Sequence, residues 1–340
     1  MKKRLFQVAC LGCLLFLYRP LRAQDPHFTQ FFSSPLTLNP AFTGLFSGDF
    51  RIAGNYRNQW SSISTPFETG TVSADFGILK NTIPYNDIWG VGVLALYDRT
   101  GGGGLRNNLF GLSTAYHKGL DAEGRQTLAV GAQVALVQKR LDFSKLVFEN
   151  QLTNQGFDPT LPNGEYVSDS HLSYADYNVG LLYNNSIGEY GDLYFGGSYY
   201  HITEPEETFL GEENRLHARY TLHGGGAFAP TPLTRVYTSA LFMQQGGAQE
   251  ISTGAALGLV VNGLPETPTL FYLGAWYRWN DAINPYVGLE LNSLQVGLSY
   301  DINVSSLKPA SDYRGGFELS VIYIHQHRDP NRKTVNCPKF

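Results

Sequence analysis

Residues 294–304 read Leu-Gln-Val-Gly-Leu-Ser-Tyr-Asp-Ile-Asn-Val, and no other stretch limits the fold so tightly. Leu294, Val296, Leu298, Tyr300, Ile302 and Val304 are apolar, whereas Gln295, Gly297, Ser299, Asp301 and Asn303 are polar or small. A strand sends successive side chains to opposite faces, so this segment has one apolar and one polar face. A helix would scatter both sets around its circumference. Two environments suit such a strand: a soluble sheet over a core, or a membrane barrel with lipid outside and polar filling inside.

The same alternation recurs along almost the whole chain. Candidate strands lie at 50–57, 67–78, 89–97, 105–118, 128–136, 177–183, 192–201, 216–222, 233–243, 250–261, 270–279, 285–291, 294–304 and 316–327. That makes about fourteen strands, many of roughly 10 residues, a length that suits tilted membrane strands better than soluble sheets. No stretch beyond the first two dozen residues is long and apolar enough for a spanning helix. The excess of Tyr (21) and Gly (37) over Met (2) and Cys (3) favours strands over helix bundles. Connections after odd-numbered strands include the long segments 141–170, 203–215 and 305–312. Those after even-numbered strands include Thr231-Pro232, Asn292-Ser293 and 187–190. Outer-membrane barrels have this asymmetry, with short periplasmic turns and long outer loops. The segments 280–282, short where length is expected, and 79–87, longer than a tight turn, break the parity. The expected fold is an all-β antiparallel outer-membrane barrel.

The first 23 residues differ in kind. Lys2, Lys3 and Arg4 precede an apolar run from Leu5 to Tyr18, and Leu21-Arg22-Ala23 precedes Gln24. This is the layout of a secretory signal peptide cut between Ala23 and Gln24. A lipoprotein cut before Cys13 would leave an apolar stub and is the lesser reading. The signal carries five basic residues and no acid, leaving 20 basic against 29 acidic side chains, a net −9. Nucleic-acid binding, which needs a basic footprint, is disfavoured. Cys10 and Cys13 leave with the signal, so the lone Cys337 cannot form an internal disulfide. The expected division is a signal at 1–23, a plug-like periplasmic lead-in at 24–45 that plugs or braces the periplasmic mouth, a barrel at 46–328 and a periplasmic tail at 329–340. The lead-in has no clean period but is rich in Phe (Phe28, Phe31, Phe32, Phe42), and one helical turn is expected near 34–38.

The motifs of common catalytic centres do not occur: there is no G-x-S-x-G, no Gly-rich phosphate loop with Lys and no H-E-x-x-H. The glycines of 101–104 read as a flexible loop. His217, Arg219 and His223 fall on one strand face, as lumen filling or as a ligand or metal site; the first is favoured because lumens are polar by default. His325 and His327 lack a third metal ligand. A barrel hydrolase with a Ser–His pair has no supporting spacing. Arg51, Arg57, Arg219 and Arg235 point inward, and two readings stand. They line an anion pore, or they pair with Asp301, Glu290 and Glu318 and close the interior. The closed reading is favoured because a buried charge without a counter-charge is costly. The long loop 141–170, with the acidic 203–215 (Glu204, Glu206, Glu207, Glu212, Glu213), makes an acidic surface suited to binding.

Several segments resemble one family. Gln24-Asp25-Pro26-His27-Phe28-Thr29-Gln30 with Asn39-Pro40-Ala41-Phe42-Thr43-Gly44 is similar to the mature start of the PorP/SprF proteins, the type IX secretion system membrane proteins. Tyr56-Arg57-Asn58-Gln59-Trp60, His201-Ile202-Thr203-Glu204-Pro205, Arg219-Tyr220-Thr221-Leu222-His223-Gly224-Gly225, Ser299-Tyr300-Asp301-Ile302-Asn303 and the ending Cys337-Pro338-Lys339-Phe340 also resemble family signatures. The resemblance implies an outer-membrane barrel, embedded in outer-membrane lipid and serving type IX secretion, gliding motility and surface display of adhesins. The implied partners are a secreted adhesin-like client and other secretion components on the periplasmic side. It implies no enzyme activity and no cofactor. A porin or small-solute transporter is the alternative.

Overall fold

The computed structural model describes residues 25–325, apart from 64, 80–81, 85, 103, 165–169, 189–190, 210–213 and 265–266. The sequence readings for the signal peptide, its cut at Ala23 and Gln24, His327 and the 329–340 tail lie outside the described residues.

Fourteen antiparallel strands close into one barrel. They are β1 (Phe50–Gln59), β2 (Phe67–Ile78), β3 (Ile88–Thr100), β4 (Leu105–Gly119) and β5 (Gln126–Arg140), then β8 (His171–Ile187), β9 (Gly191–Tyr200), β10 (Arg219–Thr231), β11 (Thr234–Gln245), β12 (Ala248–Leu264), β13 (Thr267–Arg278), β14 (Ala282–Leu291), β15 (Leu294–Asn303) and β16 (Arg314–His325). The remaining pair, β6 (Leu152–Thr153) and β7 (Gly156–Phe157), is a hairpin inside the long loop. Consecutive barrel strands pair with each other, and β1 pairs with β16 to close the seam, Arg57 standing opposite Glu318. Closure removes the free sheet edges that would otherwise expose backbone groups to lipid. No helix among the described residues is long and apolar enough to cross a membrane; the crossing is made by strands.

The alternation works as expected. On β5, Leu128, Val130, Val134 and Leu136 face outward and are exposed, whereas Ala129, Gln133, Ala135 and Val137 are buried inside. Outward aromatics gather at the two strand ends. Tyr56, Tyr97, Tyr220, Tyr277 and Tyr300 lie toward one rim, and Phe50, Phe76, Trp89, Tyr116 and Tyr323 toward the other. Such girdles sit at the two bilayer interfaces.

The rims differ. One carries the connections 60–66, 101–104, 141–170, 201–218, 246–247, 279–281 and 304–313; the other carries 79–87, 120–125, 188–190, 232–233 and 292–293. They are called the long-loop and short-turn rims below. At the long-loop rim, 246–247 is a further tight turn, made by two glycines at positive φ. At the short-turn rim, the two longer turns are knitted together. Asn86 donates to the carbonyls of Asp121 and Ala122, and Asp87 accepts from Tyr116, Lys118 and the Gly119 N–H.

Two expectations shift. The strand read at 216–222 begins only at Arg219. Leu216 and Ala218 are buried within the 201–218 connection, where the Leu216 N–H donates to the Pro205 carbonyl. The alternating pattern thus runs past the point where sheet pairing begins, and His217 belongs to the connection. The lead-in, expected at the periplasmic mouth, reaches further: it fills the barrel from rim to rim.

Candidate functional site: the filled lumen

The lead-in owes its shape to two prolines and an asparagine. Pro35 opens a single helical turn (Pro35–Leu38) and Pro40 a 3₁₀ turn (Pro40–Phe42), where a missing N–H costs nothing. Asn39 caps the second turn, its Oδ1 accepting from Ala41 N at 2.8 Å. Gly44, at φ +79°, then turns the chain toward β1.

At the long-loop rim, Asp25 is gripped first. Its carboxylate lies 2.6 Å from His201 Nε2 and 3.0 Å from Arg219 Nη1, and its N–H donates to Gln245 Oε1 at 2.8 Å. His201 Nδ1 lies 3.0 Å from Asp176. Burial alone would push the Asp25 carboxyl up, but His201 and Arg219 hold it far below the usual carboxylate range. Burial alone would likewise lower His201; the Asp25 charge and the Asp176 bond outweigh it and raise the imidazole to about 9. His27 lies 3.2 Å from Glu250, and burial lowers it to about 4, so it is uncharged at neutral pH.

Deeper in, Asp301 accepts from Arg57 at 2.8 Å, Arg278 at 2.6 Å, Thr29 Oγ1 at 2.8 Å and Asn284 at 2.5 Å. The seam partners Arg57 and Glu318 lie 3.8 Å apart and both hold the lead-in. Arg57 donates to the His27 carbonyl and to Thr29 Oγ1; Glu318 accepts the N–H groups of Thr29 and Gln30. The Gln30 amide donates to Ser299 and accepts from Ser320. Phe32 packs on Trp276 and Tyr286, with ring centroids 4.8 and 5.7 Å away.

The second half of the lead-in is fixed as tightly. Ser198 and Tyr200 donate to the carbonyls of Leu38 and Leu36. Asn39 Nδ2 donates to the wall carbonyls of Leu181 and Gly197. At the short-turn rim, Thr43 meets Ser113 at 2.6 Å, His117 donates to the Thr43 carbonyl at 2.8 Å, and Asp75 accepts from the Gly44 N–H and from Arg51. Wall glycines make room for this backbone. A Cβ on Gly131 would lie 2.3 Å from Ala41 N, and one on Gly180 1.8 Å from Asn39 Oδ1.

Of the inward arginines, three are paired in the closed manner, though only one with a partner named from sequence. Arg57 meets Asp301; Arg51 meets Asp75 at 2.8 Å, and Arg219 meets Asp25. Arg235 is half-buried, and Glu290 instead accepts from Tyr272. His223 lies 2.9 Å from Asn39 Nδ2 and packs on Phe42, whereas His217 contributes its carbonyl to Gln245. His325 stacks on Phe50 on the outer wall. Sequence reasoning missed Asp75, Asp176, His201 and Arg278; an isolated inward charge on an alternating strand was the available signal.

Chemically, this is a lumen built to hold its own chain. Charges of both signs meet inside it, and a small cavity of about 30 Å³ lies beside residues 26–31.

Comparison with known proteins agrees with this architecture. Among solved structures, the chain is similar to the Ralstonia pickettii toluene transporter TbuX, at 9% identity and a TM-score of 0.55, over 87% of this chain and 94% of that one. It also matches a Pseudomonas aeruginosa FadL homologue (9% identity, TM-score 0.46, 84% and 92% covered) and the KdgM porin (9%, 0.37, 80% and 98%). At such identities the likeness to TbuX is one of fold. No curated protein matches the sequence. The family model for the type IX secretion system membrane protein PorP/SprF matches residues 21–323. The protein is therefore an outer-membrane β-barrel component of type IX secretion and belongs to the PorP/SprF family.

Proposed function

We propose that the barrel is a closed, non-enzymatic platform that supports export or surface anchoring of a secreted adhesin-type client, in the service of surface display and gliding motility. In this reading the long-loop rim faces outward and guides or holds the client. The short-turn rim and the 329–340 tail face other secretion components in the periplasm, and the mature chain begins at Gln24 after a cut behind Ala23. One observation carries the closed-platform reading: the lead-in is bonded at both rims, through Asp25 and Arg219 at one and through Gly44 and Asp75 at the other. A pore whose plug is fixed at both ends has no simple way to open. The orientation is supported by the clustering of the long connections on one rim.

Two measurements test this. Purified protein in planar bilayers should give no steady large conductance; stable open channels would favour a porin and overturn the closed reading. Affinity capture from outer membranes should recover one secreted, adhesin-like protein with other secretion components. Capture of neither, from a correctly folded bait, would remove the client role.

A further inference from the structure

We infer that the chain is threaded through its own barrel with the amino end at the long-loop rim, so that whatever precedes Asp25 emerges among the long loops. With the orientation proposed above, on which the sidedness rests, the terminus left by signal removal is displayed at the cell surface.

The lead-in starts at one rim and ends at the other, with residues 25–38 doubled together near the first: Arg219, which holds Asp25, also donates to the Thr37 carbonyl. Asp25 bonds to Gln245, the last residue of β11, to His201, directly after β9, and to Arg219, the first residue of β10. All three positions mark long-loop ends of strands. Asn39 bonds to the mid-wall carbonyls of Leu181 and Gly197. Thr43 and Gly44 bond to His117 and Asp75, near the short-turn ends of β4 and β2. Asp49 N then donates to the His325 carbonyl, and β1 begins at that same rim. The lead-in therefore begins at one rim and leaves at the other.

Beside Pro26, His27, Phe28, Phe31, Thr37 and Leu38 the cavity measures about 30 Å³, far less than a second extended segment needs. Asp25 itself sits at the long-loop mouth, where upstream chain meets the loops. The seam also holds this segment: Arg57 on the first strand and Glu318 on the last both bond to Thr29.

The test is thiol labelling of cells with a membrane-impermeant maleimide. In a Cys337→Ser background, a Ser-Gly-Cys insertion is placed between Gln24 and Asp25. Asn154→Cys, exposed in the long loop, and Ala122→Cys, exposed at the short-turn rim, serve as separate references. The expected result is that the inserted thiol reacts in intact cells together with Asn154→Cys, while Ala122→Cys reacts only after permeabilisation. If the inserted thiol follows Ala122→Cys instead, the threading is wrong. If the two references exchange behaviour, the orientation fails, and threading survives only if the inserted thiol still follows Asn154→Cys. An epitope tag at the same position, read by antibody, gives a second probe. Both extended chains should assemble with the heat-modifiable gel mobility of the parent. Failure of both to assemble, with the two reference variants folded, overturns the inference.

Discussion

The Nε2 atom of His201 stands 2.6 Å from the Oδ2 atom of Asp25, across 176 positions of sequence. The imidazole is raised to about 9 from an ordinary 6.5. A group whose folded pKa is raised gives stability that is complete below its unfolded value and lost as pH climbs through the folded one. The heat needed to unfold the barrel in detergent should therefore fall between about pH 6.5 and about pH 9, where the folded imidazole still holds a proton that the unfolded one has lost. His201→Gln should weaken the barrel at neutral pH and flatten this alkaline dependence. Thermal gel-shift assays across that range, with Asp25, Asp176 and Arg219 intact, check it.

Gly44 and Gly90 touch backbone to backbone. A Cβ on Gly90 would lie 2.1 Å from the Thr43 carbonyl oxygen and 2.7 Å from Gly44 Cα. Neither atom belongs to a flexible side chain. Gly90→Ala should cost about 1–3 kcal/mol or more as the lead-in is pushed off the wall. Gly54→Ala is the matched control, since its Cβ would find only the Thr71 carbonyl, at 3.7 Å. The denaturation midpoints of both variants, with protease sensitivity of residues 25–48, separate the two cases.

Asp301 compensates two buried guanidinium groups, those of Arg57 and Arg278. Removing its charge leaves both cations short of a partner. Asp301→Asn should destabilise the barrel by about 3–5 kcal/mol, the usual cost of breaking a buried pair. Combining it with Arg57→Met should recover part of that loss, because one stranded charge goes too. Unfolding titrations of the two single variants and the double variant measure the coupling.

Neighbours on one strand should respond in opposite ways. Leu112, 63% exposed, lies midway along β4 on its outer face, whereas Ser113 is 5% exposed and bonds to Thr43 inside. Leu112→Arg should cost about 2–4 kcal/mol by placing a cation in hydrocarbon. Thr153→Arg, in the exposed loop hairpin, should change stability little. Folding yield into lipid vesicles of rising thickness reads the difference.

The wall was legible in the sequence because a strand declares itself every second residue. Residues 128–136 and 294–304 needed no partner to reveal their two faces. The inward placement of Arg51, Arg57 and Arg219 followed from the same rule. Their partners did not, since alternation says which side a residue faces and not which neighbour it meets around the circumference. Asp75 lies on the strand beside Arg51, and Asp25 reaches Arg219 from the far end of the chain. The lead-in has no period to read; its single helical turn was visible through Pro35, but its path through the lumen is set by wall glycines such as Gly131 and Gly180. His217 misled because alternation continues beyond the point where β10 finds its neighbour.

The pair at the seam has a mechanical meaning. Arg57 and Glu318 face each other across the join between first and last strands, and both clasp residues 27–30. A cargo leaving sideways into the bilayer would have to unzip that join. Here the zip is riveted from within by the barrel's own amino-terminal segment, so the client proposed above would be handled at the rims rather than released through the flank.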